Sequence, residues 1–586
     1  MPVGNTETQW LGESLRYRWA LKSEPLLSHD DCDSFFQSRL VHLRGTDDKG
    51  HLSDKELLGK LPTWELMKDI FRAVGRIRTA MEAGERIVIF GDYDVDGTTS
   101  CAMLQLAFAE LGYEVEVYIP DRLLEGYGLN PVGLEKIAEQ GKALVITVDN
   151  GISALIACEK ARELGLDVII TDHHEPPPKL PEAFAILNPK QPGCDYPFKM
   201  LAGVGVAFYL LIALRAELRT AGHPRADKLN LKKFLDFVAI GTIADVAPLN
   251  GVNHILCRVG LTVIFDHVMN NERPGLSHLL RLAGWKADNG AVDATDVGFK
   301  IGPRLNAAGR LGSAMASVEL MVTTHSVRAL ELAEFLHGEN SARQELEKKA
   351  VEQALKAVSQ WSGGFYSVVL RDPEWHAGVV GLVASRVAEN LNKPTLILTE
   401  VDGKLKGSGR SIAGFDLYNA LSPLRDKFVS FGGHGYAVGM TLKPEDFDWL
   451  KESFESSVRK ALGEKIPSPK LEVDGIVPVG LLSERLCVLM DTLEPFGAEN
   501  PRPKWLIRRV KLGHSKRIGQ APNSKHARVW LDDSASAPLT AFGLASEIEQ
   551  FVASKEVVDL VVEGRLSRWG GRVKPELRII DLAVSN

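Results

Sequence analysis

Short apolar runs alternate with longer amphipathic stretches between about residues 61 and 322 of this chain. The apolar run RIVIF is followed by TTSCAMLQLAFAELG, where apolar residues recur at helical spacing, and then by the short run EVEVYI. The runs ALVITV, ALIACEKARELG and DVII repeat this order further along. Because strands that alternate with helices form parallel sheets covered by helices, the pattern predicts a parallel α/β domain.

The pattern changes after residue 324. The charged stretch 325–360 contains no proline and predicts one long helix, and a second α/β pattern follows it. The segment GEKIPSPK has the composition of a linker, and the strands and turns after it are typical of a small barrel such as an OB-fold. The predicted organisation is an N-terminal extension (1–60), an α/β domain (61–324), a connecting helix (325–360), a second α/β domain (361–462) and an OB-like barrel (468–586).

Composition is that of an ordinary globular protein, with 45% hydrophobic and 25% charged residues in 586. The N-terminus lacks the basic and apolar regions of a secretory signal. The longest apolar stretch, residues 200–214, is too short and glycine-rich to span a bilayer comfortably, so a buried helix is expected there. Six cysteines without C-x-x-C spacing favour a reducing cytoplasm and argue against a thiolate zinc site.

Charge is distributed unevenly along the chain. The net charge is −7, yet residues 501–531 hold nine Lys or Arg and no Asp or Glu, together with Trp505 and Trp530. Basic side chains interleaved with aromatic ones suit single-stranded nucleic acid, because phosphates are neutralised and bases stack. A solvated basic strand face is the alternative interpretation.

Three carboxylates, Asp92, Asp94 and Asp96, follow the apolar run RIVIF at alternate positions. On an extended strand they would share one face, only ~7 Å apart, and would repel each other unless a cation lay between them. A calcium-binding EF-hand is excluded, because its twelfth loop position is Met103 and the preceding segment is strand-like. A polar turn without a metal is the alternative for this stretch alone.

Other apolar segments also end in potential metal ligands. Asp149 follows ALVITV; Asp172, His173 and His174 follow DVII; and Asp245 ends the run FVAIGTIA. Since ligands collect at the carboxyl ends of parallel strands, these side chains are expected to converge. Carboxylates and imidazoles without thiolates favour Mn²⁺ or Mg²⁺, and two such ions would suit hydrolysis of a phosphoester or phosphoanhydride.

The ordered motifs resemble a known family. GDYDVDG, VDNG, DHH, IGTIADVAPL and GPRLNAAGRLGSA are similar to the successive motifs of the DHH phosphoesterases. GVVGLVASRVAE, GSGRS and SFGGHGYAVGM resemble the DHH-associated domain. With LEPFGAENPRP and a C-terminal barrel, the resemblance narrows to bacterial single-strand-specific exonucleases and covers nearly everything from Ile87 onward. It implies a DHH catalytic domain at 61–324 and a DHH-associated domain at 361–462.

The resemblance also implies a set of metal ligands for two divalent ions, Mn²⁺ or Mg²⁺: Asp92, Asp94, Asp96, Asp149, His173 and Asp245. In this set Asp149 bridges the ions and is counted as catalytic, while Asp92 is a ligand or lies beside the ligands. His174 is catalytic and faces the scissile phosphate, and Asp172 orients a histidine. Some relatives have a histidine where this chain has Phe90, so one ion is expected to be held less tightly than in those relatives.

Six further residues are predicted to hold substrate: Arg122, Arg304, Arg310, Ser408, Arg410 and His434. The two arginines of GPRLNAAGRLG lie in a glycine-rich segment where amides and guanidinium groups can grip phosphates, with surface arginines at a helix start as the alternative. The resemblance implies that Arg122, Ser408 and Arg410 form a pocket for a 5′-terminal phosphate. It also assigns a substrate contact to the histidine of GGHG, for which a structural histidine in a glycine turn is the alternative.

The expected activity is therefore a cytoplasmic 5′→3′ exonuclease for single-stranded DNA in recombination and repair. A monomer without membrane contact is expected, and a single-strand-binding protein is a candidate partner implied by the resemblance. Two rivals are a hydrolase of short oligoribonucleotides or cyclic dinucleotides, and a non-catalytic nucleic-acid-binding scaffold. The C-terminal barrel argues against the first, and the retained carboxylates argue against the second.

Overall fold

The structure, a computed structural model, describes most of the chain. The described residues are 9–13, 17–21, 52–121, 125–126, 128–311, 314–362, 364–463, 466, 468–481, 484–519, 524–532, 538–569 and 572–585.

The first α/β domain is built on a five-stranded parallel sheet. In spatial order its strands are Glu116–Tyr118, Ile87–Gly91, Leu144–Val148, Asp167–Thr171 and Ala185–Leu187. Every residue of Ile87–Gly91 and Leu144–Val148 is buried, because helices cover both faces of the sheet. The parallel order places the carboxyl ends of these strands along one edge, where the site lies.

Helices of 8 to 19 residues surround this sheet and extend the domain beyond it. They are Ile70–Ala83, Val95–Leu111, Pro131–Glu139, Leu155–Glu163, Gly203–Thr220, Leu235–Ala244, Gly251–Met269, Pro274–Leu282, Gly302–Leu311 and Met315–Val322. The predicted buried helix at 200–214 is confirmed as part of Gly203–Thr220. Among the described residues, Gly251–Met269 is long and apolar enough to cross a membrane, but 56% of its most apolar window is buried inside the fold.

A single 34-residue helix, Ser326–Ser359, joins the two α/β domains and confirms the predicted connecting helix. Its first half buries Leu332 and Leu336 against the first domain. Its second half buries Ala354 and Val358 against the second domain. The same helix therefore forms part of both cores and sets the spacing between the domains.

The second α/β domain has a mixed five-stranded sheet. In spatial order its strands are Phe428–His434, Ala437–Leu442, Lys404–Arg410, Thr395–Val401 and Val368–Arg371. The helix Val380–Leu391 packs on one face, and Leu417–Leu421 and Phe447–Leu462 pack on the other. The predicted second α/β unit is thus confirmed.

The C-terminal domain is a closed five-stranded barrel. Its strands, in order around the barrel, are Lys504–Ile518, His526–Leu531, Leu539–Ala541, Arg572–Val584 and Val557–Trp569, and the last pairs again with the first. The helices Glu484–Asp491 and Ala545–Ser554 pack against it. This confirms the predicted OB-like barrel and, with the sheets above, the predicted fold class.

The N-terminal extension contributes strands that no motif or apolar pattern predicts. Gln9–Glu13 pairs with Arg18–Leu21, which pairs in parallel with Lys470–Val473 just before the barrel. Trp19 is 3% exposed, and its indole Nε1 donates a hydrogen bond to Asp581 Oδ2 at 2.8 Å. The first strands of the chain therefore pack against the last domain.

Candidate active site

The motif GDYDVDG lies where the strand Ile87–Gly91 passes into the helix Val95–Leu111. Asp94 is the N-cap of that helix, and its Oδ1 accepts a hydrogen bond from the Gly97 amide at 3.0 Å. The expectation that the three aspartates alternate along one extended strand is wrong. Because Asp94 supplies a capping oxygen, the backbone changes from extended to helical in the middle of the motif.

Asp96, in the first turn of this helix, is 1% exposed. Its Oδ2 accepts from the Gly203 amide and its Oδ1 from the Val204 amide, each at 2.7 Å. These amides open the helix Gly203–Thr220, whose positive end favours an anion. The carboxylate is therefore fixed in place, and each oxygen keeps a second lone pair for another partner.

Asp149 follows the strand Leu144–Val148 in a left-handed conformation, with φ of 62°. This conformation is uncommon outside glycine, and it turns the buried side chain toward the neighbouring strand ends. A Cβ on Gly203 would lie 2.8 Å from Asp149 Cβ, so glycine is required there. Asp149 Oδ1 lies 3.1 Å from His173 Nε2.

Asp245 reaches the site by a different route from the one predicted. It follows a helix, Leu235–Ala244, and caps it, with its amide bonded to the Gly241 carbonyl at 2.9 Å. The expectation that it ends a strand is therefore wrong. Its Oδ2 nevertheless lies 3.8 Å from His173 Nε2, so the predicted convergence holds.

The two histidines of the DHH triplet have different surroundings. His174 Nδ1 lies 2.7 Å from Asp172 Oδ1, which also accepts from the His173 amide at 2.7 Å. Asp172 Oδ2 accepts from the Ile152 amide at 2.9 Å. Asp172 is thus engaged by backbone amides and by one imidazole, which matches the orienting role implied for it.

The structure brings all six predicted metal ligands to this edge of the sheet. They fall into three overlapping groups, each with ligand atoms within 4.8 Å of one another: Asp149, His173 and His174; Asp96, His173 and Asp245; and Asp92, Asp94 and Asp149. Asp149 Oδ1 and His173 Nε2 are buried, and neither has a hydrogen-bond partner within the part of the chain that the structure describes. Buried polar atoms of this kind need a partner, and a divalent cation fits this oxygen-rich donor set.

The electrostatics also favour a cation. Burial, reinforced by neighbouring carboxylates, raises the pKa of Asp149 and Asp96 well above the usual range. Burial and Asp94 raise the pKa of Asp245 to about 7. Burial and the adjacent His174 lower the pKa of His173 to about 4, which leaves its imidazole neutral, as metal ligation requires.

His174 titrates in the opposite direction. Burial alone would lower its pKa, but the hydrogen bond to Asp172 and the surrounding carboxylates raise it to about 9. The His174 side chain is 47% exposed, in contrast to 14% for His173. At neutral pH it therefore carries a positive charge at the open side of the site.

A cleft between the two α/β domains opens beside these carboxylates. Its lining comes from both domains: Tyr93, Asp94, Asn306, Ala377, Gly378, Gly381, Ser408 and Arg410. Ser408 and Arg410, predicted from the sequence, thus face the same cleft as Asp94. Arg410 Nη1 donates to the Gly409 carbonyl at 2.8 Å, and burial lowers its pKa.

The other predicted substrate residues are not among the described residues that line this cleft. The Arg304 side chain is buried, donating to His337 Nδ1 at 3.1 Å and to the Lys300 carbonyl at 2.7 Å, which fastens its helix to the connecting helix. His434 is exposed at the end of the edge strand Phe428–His434. Arg122 and the side chain of Arg310 lie outside the described residues.

Sequence reasoning missed Tyr93 and Asn306 as lining residues. Tyr93 stands between two aspartates of the first motif, and Asn306 lies inside GPRLNAAGRLG, so both were within quoted motifs. The site predictions for these motifs rest on charged and imidazole side chains alone. A neutral amide or phenol on a cleft wall has no charge pattern to mark it.

The barrel presents a basic and aromatic face, defined here as His514, Lys516, Arg528, Trp530 and Arg578. His514 and Trp530 stack with centroids 4.3 Å apart and planes 6° from parallel. Lys516 pairs across the strands with Arg528, and among the described residues neither has an ion-pair partner. By contrast Trp505 is 4% exposed in the barrel core, so its predicted role in base stacking is wrong.

Several related proteins match most of the chain in sequence. The single-stranded-DNA-specific exonuclease RecJ of Salmonella typhimurium is 36% identical over 87% of this chain and 89% of its own length. The chain belongs to the RecJ family. RecJ of Bacillus subtilis is 40% identical over 89% of this chain, which spans 64% of that relative. This confirms the resemblance stated from the motifs.

Family models divide the chain in the order expected of RecJ. The DHH family, N-terminal domain matches residues 86–242, the DHHA1 domain 357–460 and the RecJ OB domain 473–581. Among solved structures, RecJ from Thermus thermophilus in complex with Mn²⁺ has a TM-score of 0.75 at 27% identity, covering 97% of this chain and 80% of that one. The same relative has also been solved in complex with Mg²⁺.

Proposed function

We propose that this chain is a 5′→3′ exonuclease specific for single-stranded DNA, which hydrolyses phosphodiester bonds with two divalent ions and acts in recombination and repair. One observation carries the proposal: six carboxylate and imidazole ligands converge on a cleft whose opposite wall carries Ser408 and Arg410. Membership of the RecJ family, whose named members are single-stranded-DNA-specific exonucleases, supports it.

The proposed ligands are Asp92, Asp94, Asp96, Asp149, His173 and Asp245. Asp149 and His173 each belong to two of the three groups described above, and of the two only Asp149 has a carboxylate that can be shared by two ions. When bound, Mn²⁺ or Mg²⁺ would supply Lewis acidity for the phosphate and for the attacking water. The buried carboxylates would hold the positive charge of the ions in a fixed arrangement.

His174 is the proposed catalytic residue on the open side of the site. Its Nδ1–H donates to Asp172, so the Nε2–H of the imidazolium is the proton that remains available to a phosphate oxygen. With a pKa of about 9, the imidazolium persists at neutral pH and can stabilise charge that develops on that oxygen. Its ring is oriented before substrate arrives, because Asp172 is itself held by backbone amides.

Arg122, Ser408 and Arg410 are proposed to bind the 5′-terminal phosphate, and Arg310 is proposed to hold a phosphate of the strand. A terminal phosphate carries more negative charge than an internal diester, so a partly enclosed guanidinium distinguishes the strand end from its interior. His434 is proposed to contact the strand beyond this pocket. Arg304 is buried by its own contacts and would act by fixing the helix Gly302–Leu311.

The barrel face is proposed to bind single-stranded DNA outside the cleft. Its lysine and arginines can neutralise phosphates, and the His514–Trp530 stack offers a flat apolar surface to a base. We further propose a cytoplasmic monomer without membrane contact that works beside a single-strand-binding protein. The reduced state of the five described cysteines is compatible with that compartment.

The test is nucleotide release from 5′- and 3′-labelled single strands, with duplex of the same sequence as the comparison. Activity should require Mn²⁺ or Mg²⁺, disappear with a chelator, and release nucleotides from the 5′ end of the single strand only. Asp149→Asn should abolish it, since a shared ligand is lost. Asp167→Asn is the matched control, because Asp167 begins the neighbouring strand at the opposite edge of the same sheet.

Near-parental turnover by Asp149→Asn would refute the ion assignment. Release from the 3′ end, or equal attack on duplex, would refute the proposed direction or strand specificity while leaving a metal-dependent nuclease. Preference for dinucleotides or oligoribonucleotides over long DNA would instead favour the rival hydrolase activity.

A further inference from the structure

Residues 492–500, here called the docking segment, run between the helix Glu484–Asp491 and the first barrel strand. They contain most of the sequence LEPFGAENPRP, for which the activity described above provides no role. The docking segment contacts the part of the DHH domain that follows Asp245 in the chain, from Leu249 to Arg258. It therefore connects the barrel to a proposed metal ligand.

The closest contacts are made by the turn that follows Asp245. The Leu249 amide donates a hydrogen bond to the Ala498 carbonyl at 2.8 Å. The next residue, Asn250, donates from Nδ2 to Glu499 Oε2 at 3.0 Å. Both atoms of the DHH domain lie within five residues of Asp245, so the docking segment holds this turn from outside.

A second set of contacts comes from the helix Gly251–Met269, which begins at the end of the turn. His254 Nε2 lies 3.1 Å from the Leu493 carbonyl, and Arg258 Nη1 donates to the Thr492 carbonyl at 3.2 Å. The acceptors are backbone carbonyls, so the contact depends on the path of the docking segment rather than on its side chains.

The turn after Asp245 has a conformation that needs external support. Val246 has a φ of 59° and its side chain is 69% exposed, although a β-branched residue strongly disfavours this region. Such strain persists only where neighbouring contacts enforce it. From inside the domain, Asn253 Nδ2 donates to the Pro248 carbonyl at 3.0 Å. The docking segment supplies the corresponding contacts from outside.

We propose that the docking segment positions Asp245, so that seating of the barrel on the DHH domain sets the geometry of the ion site. The inference rests on the proposed function in one respect, which is that Asp245 binds a divalent ion. Among the described residues, the proposed ligand groups and the cleft lining include no residue of the segment. Its residues and their partners, His254 and Arg258, are positioning residues that act through the turn 246–250.

Two single variants loosen the contact in independent ways. In Gly497→Leu, the new Cβ would lie 2.6 Å from Leu249 Cδ1 and 3.2 Å from its Cγ, so the side chain acts as a wedge between the two domains. His254→Ala removes the donor to the Leu493 carbonyl. His254→Gln is the matched control, because a glutamine amide can donate from nearly the same position.

The experiment measures Mn²⁺ binding to the full chain by calorimetry, independently of nuclease activity. Gly497→Leu and His254→Ala should bind Mn²⁺ about 3- to 30-fold more weakly, while His254→Gln should bind nearly as the parent does. Hydrogen exchange of residues 245–250 in chelated protein should be faster in the two weakened variants. Affinity of the chelated proteins for single-stranded DNA should stay unchanged, because the barrel face is intact.

Parental Mn²⁺ affinity in both weakened variants, despite faster exchange of residues 245–250, would overturn the inference. Unchanged exchange together with unchanged affinity would also overturn it, because the turn would then not depend on the docking segment. An equal loss in His254→Ala and His254→Gln would show that the contact is not the cause. If the parent itself bound no Mn²⁺, the proposed function would fail first.

Discussion

Arg410 ends the strand Lys404–Arg410 at the point where the two α/β domains face each other. Replacing it with alanine should remove a charge-assisted hydrogen bond worth roughly 1.5–3 kcal/mol, or about ten- to a hundred-fold in affinity. The loss should be large for 5′-phosphorylated strands and small for strands that end in a 5′-hydroxyl. Degradation rates of both substrates at limiting concentration measure it.

Lys406→Ala is the matched control for Arg410→Ala, because Lys406 lies four residues earlier on the same strand and face and is exposed. It should change both rates little. Equal losses on both substrates with Arg410→Ala would mean that the guanidinium grips the strand generally, and that the terminal phosphate binds elsewhere.

Asp149 allows a stability test that needs no DNA. Its pKa and that of Asp245 are raised above the unfolded values, so the folded chain binds more protons, and its stability falls as pH rises through the folded pKa. With chelator present, the melting temperature should fall as pH rises from the ordinary carboxyl pKa of 3.8 through the folded pKa of Asp245, about 7. Asp149→Asn should melt higher than the parent at pH 8, by about 2–4 °C for each kcal/mol of repulsion relieved.

Added Mn²⁺ should raise the melting temperature of the parent and weaken its pH dependence, because the cation replaces the missing protons. Asp149→Asn should show a much smaller metal-induced shift, and Asp167→Asn should behave as the parent. A lower melting temperature for Asp149→Asn in chelator would show that the carboxylate stabilises the metal-free fold.

Individual site residues differ in how far the sequence could reveal them. Asp149 and His173 follow apolar runs with the right ligand chemistry, so their convergence could be predicted. The burial of Arg304 and Trp505 could not be predicted, because a buried guanidinium and a buried indole look the same in sequence as exposed ones. Their surroundings, His337 and Met490, come from distant parts of the chain.

Among the structural elements, the barrel strands offer a way to separate stacking from charge. Trp530→Ala should weaken binding to a long single strand by roughly 1–3 kcal/mol without changing its salt dependence, since a neutral surface is lost. Lys516→Ala and Arg528→Ala should each reduce the slope of log affinity against log salt concentration by about 0.7. Titration in chelator from low to moderate salt measures both effects.

The matched control for these strand variants is Arg517→Ala, because the Arg517 guanidinium is already paired with Glu549 at 2.6 Å. It should change the salt slope little. A salt slope that is unchanged in Lys516→Ala and Arg528→Ala would indicate a solvated basic face, with DNA bound elsewhere.

Element boundaries show where pattern reasoning succeeds and fails. Alternating apolar and amphipathic stretches predicted the parallel sheet correctly, since its central strands, Ile87–Gly91 and Leu144–Val148, are buried on both faces. The run FVAIGTIA has the same apolar pattern and predicts a strand, but it forms part of the helix Leu235–Ala244. A helix buried on all sides has no polar face, so its periodicity is lost and it resembles a buried strand.

At the scale of the whole molecule, Trp19 packs an N-terminal strand against the C-terminal barrel. Trp19→Ala should destabilise the barrel by about 3–5 kcal/mol through lost packing. Trp19→Phe keeps most of that packing but removes the donor to the fully buried Asp581, at about 1–3 kcal/mol. Hydrogen exchange of residues 557–584 should be faster in Trp19→Phe than in the parent and faster still in Trp19→Ala, with the DHH domain unaffected.

Glu472→Ala, on the exposed side of the strand Lys470–Val473, is the control for these variants and should leave exchange nearly unchanged. Faster exchange throughout the DHH domain in Trp19→Ala would contradict a local role. No sequence pattern could have revealed this pairing, because a short strand carries no record of a partner about 450 residues away.

The strand Arg18–Leu21 leaves the ribosome long before its neighbour Lys470–Val473 has been made. At about 5–20 residues per second, the interval is on the order of 20–90 s, during which Trp19 has no native partner. The strands Gln9–Glu13 and Arg18–Leu21 of the nascent chain are therefore exposed to chaperones and proteases until residues 470–473 have been made. The barrel consequently gains its contact with Trp19 only after the DHH domain has been synthesised, so a ribosome that stalls before residue 470 leaves the strand Arg18–Leu21 without its neighbour.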